Sequence, residues 1–260
     1  MPQLTRINIY PVKSLDPQSV DEAVVLASGA LANDRRYALV DRSGEWVNGK
    51  RTPAVQRLRS RLDFATGRLT LTADSGETRE FHVEQEQEAL TRWLSAQLGE
   101  TVSIIENTAG GFPDDVESPG PTLISTATLA EVASWYPGLS VDETRDRFRA
   151  NLEIDAPEPF WEDRLVPENL GGVRFAIGAV ELVGANPCAR CPVPTRNPYT
   201  GVADRQFART FAERRREKLP SWAPASRFDH YYRLAVNTRP ARSRESALRL
   251  GDELRILGTE

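Results

Sequence analysis

The segment Asn186-Pro187-Cys188-Ala189-Arg190-Cys191-Pro192-Val193-Pro194-Thr195 carries the only two cysteines of a 260-residue chain. Two thiols separated by two residues suit a metal or a redox couple, because thiolate is both a soft anionic ligand and a nucleophile. The spacing admits several chemistries. A closed zinc site needs about four ligands, and the only histidines, His82 and His230, supply no matching second pair. A thioredoxin-like couple sits at the start of a helix, whereas Pro192 and Pro194 follow here at once. One cysteine ligating a metal whose other ligands belong to its own cofactor needs no further protein donors. Two inert core thiols are the plain alternative.

An anionic cofactor would need cations and hydroxyls held near it. Candidates stand in turns beside strand-like runs: Lys13-Ser14, Asp34-Arg35-Arg36, and Arg147-Phe148-Arg149-Ala150-Asn151. Taken singly, Arg35 or Arg149 is more often a surface charge or an ion-pair partner than a cofactor ligand. The basic run from Arg205 to Lys218 reads as a solvated helix face that an acidic electron-transfer partner could meet. A net charge of −4 provides no broad basic field, which argues against a nucleic-acid partner. No apolar run has the length of a membrane span, and Met1–Ile7 has no hydrophobic signal core. A cytoplasmic protein without a membrane partner is therefore expected, where paired thiols serve metal or redox work rather than a structural disulfide.

The elements that must position these residues read mainly as strands. Ile7 and Ile9 alternate with polar residues, Val24–Leu26 and Tyr37–Val40 follow, and two hairpins are signalled by Ala65-Thr66-Gly67 and Asp74-Ser75-Gly76. Leu90, Trp93, Leu94 and Leu98 have helical spacing, with Gly99 as the stop. Ala109–Pro113 and Pro119–Pro121 predict a flexible crossing between two halves. A short helix is expected from Ser125-Thr126, and Ser140–Glu143 has capping-box spacing. Arg149–Ile154, Val173–Ile177 and Val180–Val183 resume strands, the last running into the cysteine motif. Phe207 and Phe211 mark a charged helix, and Phe228, His230, Tyr232, Leu234 and Val236 form a period-two stripe. Leu248, Leu250, Leu254 and Ile256 suggest a closing strand pair. The architecture expected is mainly β with peripheral helices.

Four motifs in order, Tyr10–Ser14, Asn33–Val40, Phe148–Asn151 and Cys188-Ala189-Arg190-Cys191, resemble those of MOSC-domain proteins, named after the C-terminal domain of molybdenum cofactor sulfurase. Within that family the chain resembles the mitochondrial amidoxime-reducing component and its bacterial counterparts. The resemblance covers nearly the whole chain. It implies an N-terminal MOSC β-barrel domain over 1–108 and a MOSC domain, also of β-barrel type, over 109–260. It implies a molybdenum–molybdopterin cofactor with Cys191 as metal ligand and catalytic thiol. Lys13, Ser14, Arg35 and Arg149 would hold the pterin phosphate or ring, with Asn151, Ala189 and Arg190 lining the same pocket. Pyridoxal phosphate binding is a further family-level association. The activity implied is reduction of small N-hydroxylated or related N-oxygenated compounds. Electrons would come from a separate reductase or ferredoxin-like protein, since two cysteines cannot hold an iron–sulfur cluster of the four-thiolate kind. A sulfur or cofactor carrier using a cysteine persulfide is the alternative. The chain departs from the amidoxime-reducing pattern after the second cysteine, where Pro194-Thr195 and Asn197 replace a Thr-Thr pair and an Asp.

Overall fold

The computed structural model describes residues 1–169, 171–242 and 244–260. Alternating apolar residues build a three-stranded meander of Arg59–Asp63, Arg68–Thr72 and Thr78–His82, in which Leu62 faces Leu69 and Leu69 faces Phe81. Helix α1 (Gln87–Leu98) lays Leu90 and Leu94 on this apolar face and ends at Gly99, whose φ of 71° is the left-handed conformation that glycine adopts without strain. A second small sheet pairs Tyr37–Asp41 with Val102–Glu106. One core cluster joins these elements to Val12, Leu15 and Val55.

The larger sheet has eight strands in the order Leu254–Thr259, Val173–Ile177, Val180–Ala189, Arg233–Pro240, Leu123–Ser125, Leu152–Ile154, Leu4–Ile9, Gln18–Val20. The first strand of the chain therefore pairs antiparallel with Leu152–Ile154, so the two halves of the sequence share one sheet. Helices α2 (Thr126–Ser134), α3 (Val141–Phe148) and α4 (Phe207–Glu217) pack beside it around Phe148, Phe160, Phe207 and Phe211. Both expected N-caps form: the Ser125 hydroxyl accepts from the Thr128 amide and the Ser140 hydroxyl from the Glu143 amide. Among the described residues, no helix is long and apolar enough to cross a membrane.

The mainly-β reading with peripheral helices stands, with four differences. No sheet closes into a barrel among the described residues: the eight-strand order is open, and its Gln18–Val20 edge has only three residues with which to pair. The stripe from Phe228 to Val236 is strand only from Arg233, because its partner Val180–Ala189 ends opposite that residue. The expected closing pair also splits. Ser246–Arg249 pairs with Glu22–Val25 and Leu254–Thr259 with Val173–Ile177, since Leu248 and Leu254 both reach the main core from different sheets. Finally, the strand expected over Arg149–Ile154 begins at Leu152, and Arg149 instead terminates α3.

Candidate functional site

The cysteine segment is less turn-like than its prolines suggest. Cys188 belongs to the ten-residue strand Val180–Ala189, which is bulged against Arg233–Pro240. Past the strand, the Arg190 amide donates to the Tyr232 carbonyl at 3.0 Å. The chain then turns through the short 3-10 segment Val193–Thr195, where the Thr195 hydroxyl bonds the Pro192 carbonyl at 2.7 Å. Cys191 lies in the bend between these two fixed points. Both thiols are free and half-buried, but their surroundings differ. Arg190 Nη1 donates to Cys188 Sγ at 3.2 Å, while no hydrogen bond to Cys191 Sγ occurs among the described residues.

Both thiols face a cavity of about 820 Å³. Lys13, Ser14, Arg35, Arg149, Asn151, Ala189, Arg190 and Cys191, every site residue expected from the sequence, line it. They arrive from the loop after Leu4–Ile9, from the turn before Tyr37–Asp41, from the end of α3 and from the cysteine strand. Eight lysines and arginines and five aspartates line the cavity, a local charge of +3 within a chain of −4.

Its cationic wall is built around Tyr10. The Arg149 guanidinium lies 4.2 Å and that of Arg35 5.2 Å from the Tyr10 ring centroid, each gaining from the negative ring face. Burial pushes the Tyr10 hydroxyl up to about 12 despite these two charges. Arg149 Nη2 donates to the Leu15 carbonyl at 2.6 Å, and Arg35 is paired with Asp34. Lys13 Nζ donates to the Phe112 carbonyl and to Asp114, each at 2.8 Å. Burial lowers the pKa of Lys13 although Asp114 opposes it, and burial with the neighbouring Arg35 charge lowers that of Arg149. Both cations are thus desolvated beyond what their internal partners offset, the condition in which an added anion is favoured.

The backbone is also strained here. Ser14, Arg35 and Arg149 have φ values of 73°, 50° and 54°. For non-glycine residues that conformation costs about 1–2 kcal/mol each. Three such residues on one cavity wall show a geometry the surrounding packing enforces rather than one the local sequence prefers.

Two buried polar atoms of lining residues, Arg190 Nε and Gln56 Oε1, have no protein partner among the described residues. Asn151 is different. Its amide bonds the Asn8 carbonyl at 3.0 Å and accepts from Thr122, so it stitches strands together behind the wall. The sequence reading missed Tyr10 as a platform and Asp114 as a partner of Lys13. A paired acid inside the Gly/Pro crossing was the one available signal for the latter. Among the described residues, no cluster of three or more His, Cys, Asp or Glu exists to build an all-protein metal centre.

Comparison with known proteins shows the family. The MOSC N-terminal beta barrel domain matches residues 1–109 and the MOSC domain matches residues 122–255. The chain belongs to the MOSC-domain family. Similar proteins include molybdenum cofactor sulfurase of Drosophila mojavensis, 26% identical over 84% of this chain and 31% of the relative. That of Drosophila erecta is 25% identical over 96% of this chain and 34% of the relative. Molybdenum cofactor sulfurase 2 of Culex quinquefasciatus is 22% identical over 84% and 33%. The chain spans about a third of the length of these curated relatives.

Proposed function

We propose that this MOSC-domain chain binds a molybdenum–pterin cofactor in the 820 Å³ cavity and acts as an oxidoreductase on small N-oxygenated compounds. The observation that carries the reading is the pairing of one uncommitted thiol, Cys191, with a wall of under-neutralised buried cations in the same cavity. The residues fit such a group. Lys13, Arg35 and Arg149 suit a phosphate dianion, since charge-assisted bonds hold it better than neutral donors. The unpartnered Arg190 Nε and Gln56 Oε1 supply one donor and one acceptor for a heterocycle with both kinds of edge. Cys191 would ligate the metal as thiolate, with its remaining ligands drawn from the cofactor. When bound, the group would supply the two-electron redox centre.

The chain's own residues bind, orient and shield. The Tyr10–Arg149 stack and the Arg190–Cys188 contact fix the cations without side-chain freedom to lose on binding. Overall, reduction of an N-hydroxylated compound breaks its N–O bond, consumes two electrons and two protons, and releases water. The electrons require a separate donor protein, because this chain's two cysteines build no cluster of their own.

A second reading has its own support: the relatives named molybdenum cofactor sulfurase favour a chain that handles the cofactor or its sulfur without turnover. Metal analysis with pterin fluorescence on the purified protein separates the two. Stoichiometric molybdenum, with oxidation of a reduced dye that depends on an N-hydroxylated substrate, supports the oxidoreductase. Metal-free protein carrying labile sulfur on a cysteine would overturn it in favour of the carrier.

A further inference from the structure

Lys13 already has an anion. Its side chain is 9% exposed, yet its partner Asp114 is 61% exposed on the connection between the two family domains. That connection, residues 112–121, runs without helix or strand along the cavity, and Asp114, Asp115, Val116 and Ser118 line it. Both ends are pinned by glycines in close backbone contact. A Cβ on Gly111 would stand 2.3 Å from the Asp34 carbonyl oxygen, and one on Gly120 would stand 2.5 Å from Thr238 Oγ1. Between the pins, four bonds among the described residues tie the strap to the body: the Phe112 amide to the Arg35 carbonyl at 2.9 Å, Lys13 to the Phe112 carbonyl and to Asp114, and Asn237 to Asp115 at 3.0 Å. Val116, the strap's middle residue, is 75% exposed.

We infer that Asp114 is a built-in competitor, a carboxylate that holds the anion position at Lys13 and moves out with its strap when an anionic ligand takes that position. The physical case is charge. Lys13 feels the repulsion of Arg35 and Lys50 and the attraction of Asp114, whose acidity those cations increase against the effect of burial. A phosphate dianion brings more charge and more acceptor oxygens to the same ammonium than one carboxylate does. The Asp114 side chain is 61% exposed and only partly enclosed by the cavity, so moving out rehydrates it and the loss is confined to its ion pair with Lys13. The strap therefore closes over the anion position through Asp114 and yields to a charged occupant. This inference rests on the anion-binding half of the proposed function and is independent of its redox half.

Trp46 offers a local reporter: its ring lies 5.4 Å from that of Phe112 on the strap and 5.8 Å from Lys13 Nζ. The experiment is calorimetric titration of the metal-free full chain with inorganic pyrophosphate, with Trp46 emission isolated by difference against Trp46→Phe. Asp114→Asn is expected to bind pyrophosphate roughly two- to fivefold more tightly than the parent, the equivalent of one partly exposed charge pair. The parent's Trp46 emission should shift on saturation towards that of unliganded Asp114→Asn. Lys13→Gln should weaken pyrophosphate and erase the difference between Asp and Asn at position 114. Equal affinities for the parent and Asp114→Asn, with binding intact, overturn the competitor and leave cofactor binding standing. No pyrophosphate binding to either overturns the competitor and the anion wall together.

Discussion

Two regions of the molecule bury charge, and only one is built to receive something. Behind α4, Arg215 is 1% exposed, paired with Asp163 and enclosed by Phe160 and Phe228 at 3.9 and 4.8 Å. Glu162, next to Asp163 in the chain, accepts from the Thr128 hydroxyl at 3.0 Å. Arg215 Nε and Nη1 and Glu162 Oε1 have no protein partner among the described residues, yet neither side chain lines the cavity. At the Tyr10 wall the cations line open volume, outnumber the acids and sit on a left-handed backbone. Burial and unmet hydrogen bonds are common to both. What separates a receiving site from a structural knot is access, an excess of one sign, and strain maintained by the fold.

Substitutions test that contrast in different currencies. Cys191→Ala should abolish retained molybdenum, measured by elemental analysis, while Cys188→Ala keeps most of it; equal loss from both would remove the distinction between the thiols. Arg215→Ala should lower unfolding free energy by about 3–5 kcal/mol, because it strands the buried Asp163 charge. Denaturant titration measures that loss, and the folded fraction should retain its metal. Arg149→Gly should do the reverse. It weakens cofactor retention by about 1.5–3 kcal/mol on loss of a charged hydrogen bond, while relief of the left-handed strain keeps stability within about 1 kcal/mol of the parent.

The smallest effect concerns Glu162, whose carboxyl burial, reinforced by Asp163, pushes up to about 7. The folded chain keeps this proton where the unfolded chain, with its ordinary value of 4.5, has lost it. Its contribution therefore makes stability fall as pH rises from about 4.5 to about 7. Glu162→Gln should flatten that slope in a pH series of unfolding curves; an unchanged slope would show that the carboxyl titrates normally.

Local pattern carried much of the fold. The meander, α1 with its glycine stop and both serine caps follow from spacing within a dozen residues, which is the range over which periodicity and capping act. It failed where partners were distant. Leu248 and Leu254 looked like one hairpin, but each found its strand partner more than 75 residues away. Asn151 lines the cavity as expected, but the use of its amide by the Asn8 carbonyl, 143 residues earlier, had no signal in the sequence. The site was legible as a set of short motifs, and the resemblance, not the spacing, nominated one cysteine over the other.

From sequence alone, the residue types at Lys13, Arg35, Arg149 and the two thiols were determined, and with them the chemistry available: cations for an anion, sulfur for a soft metal. Tertiary structure decided which of those groups remain available. It gave Cys188 to Arg190 and left Cys191 open, stacked two arginines on Tyr10, and brought Asp114 onto Lys13 across 101 residues of chain. The reason is that a side chain's chemistry is intrinsic, whereas its desolvation and its partners exist only once distant segments are packed together.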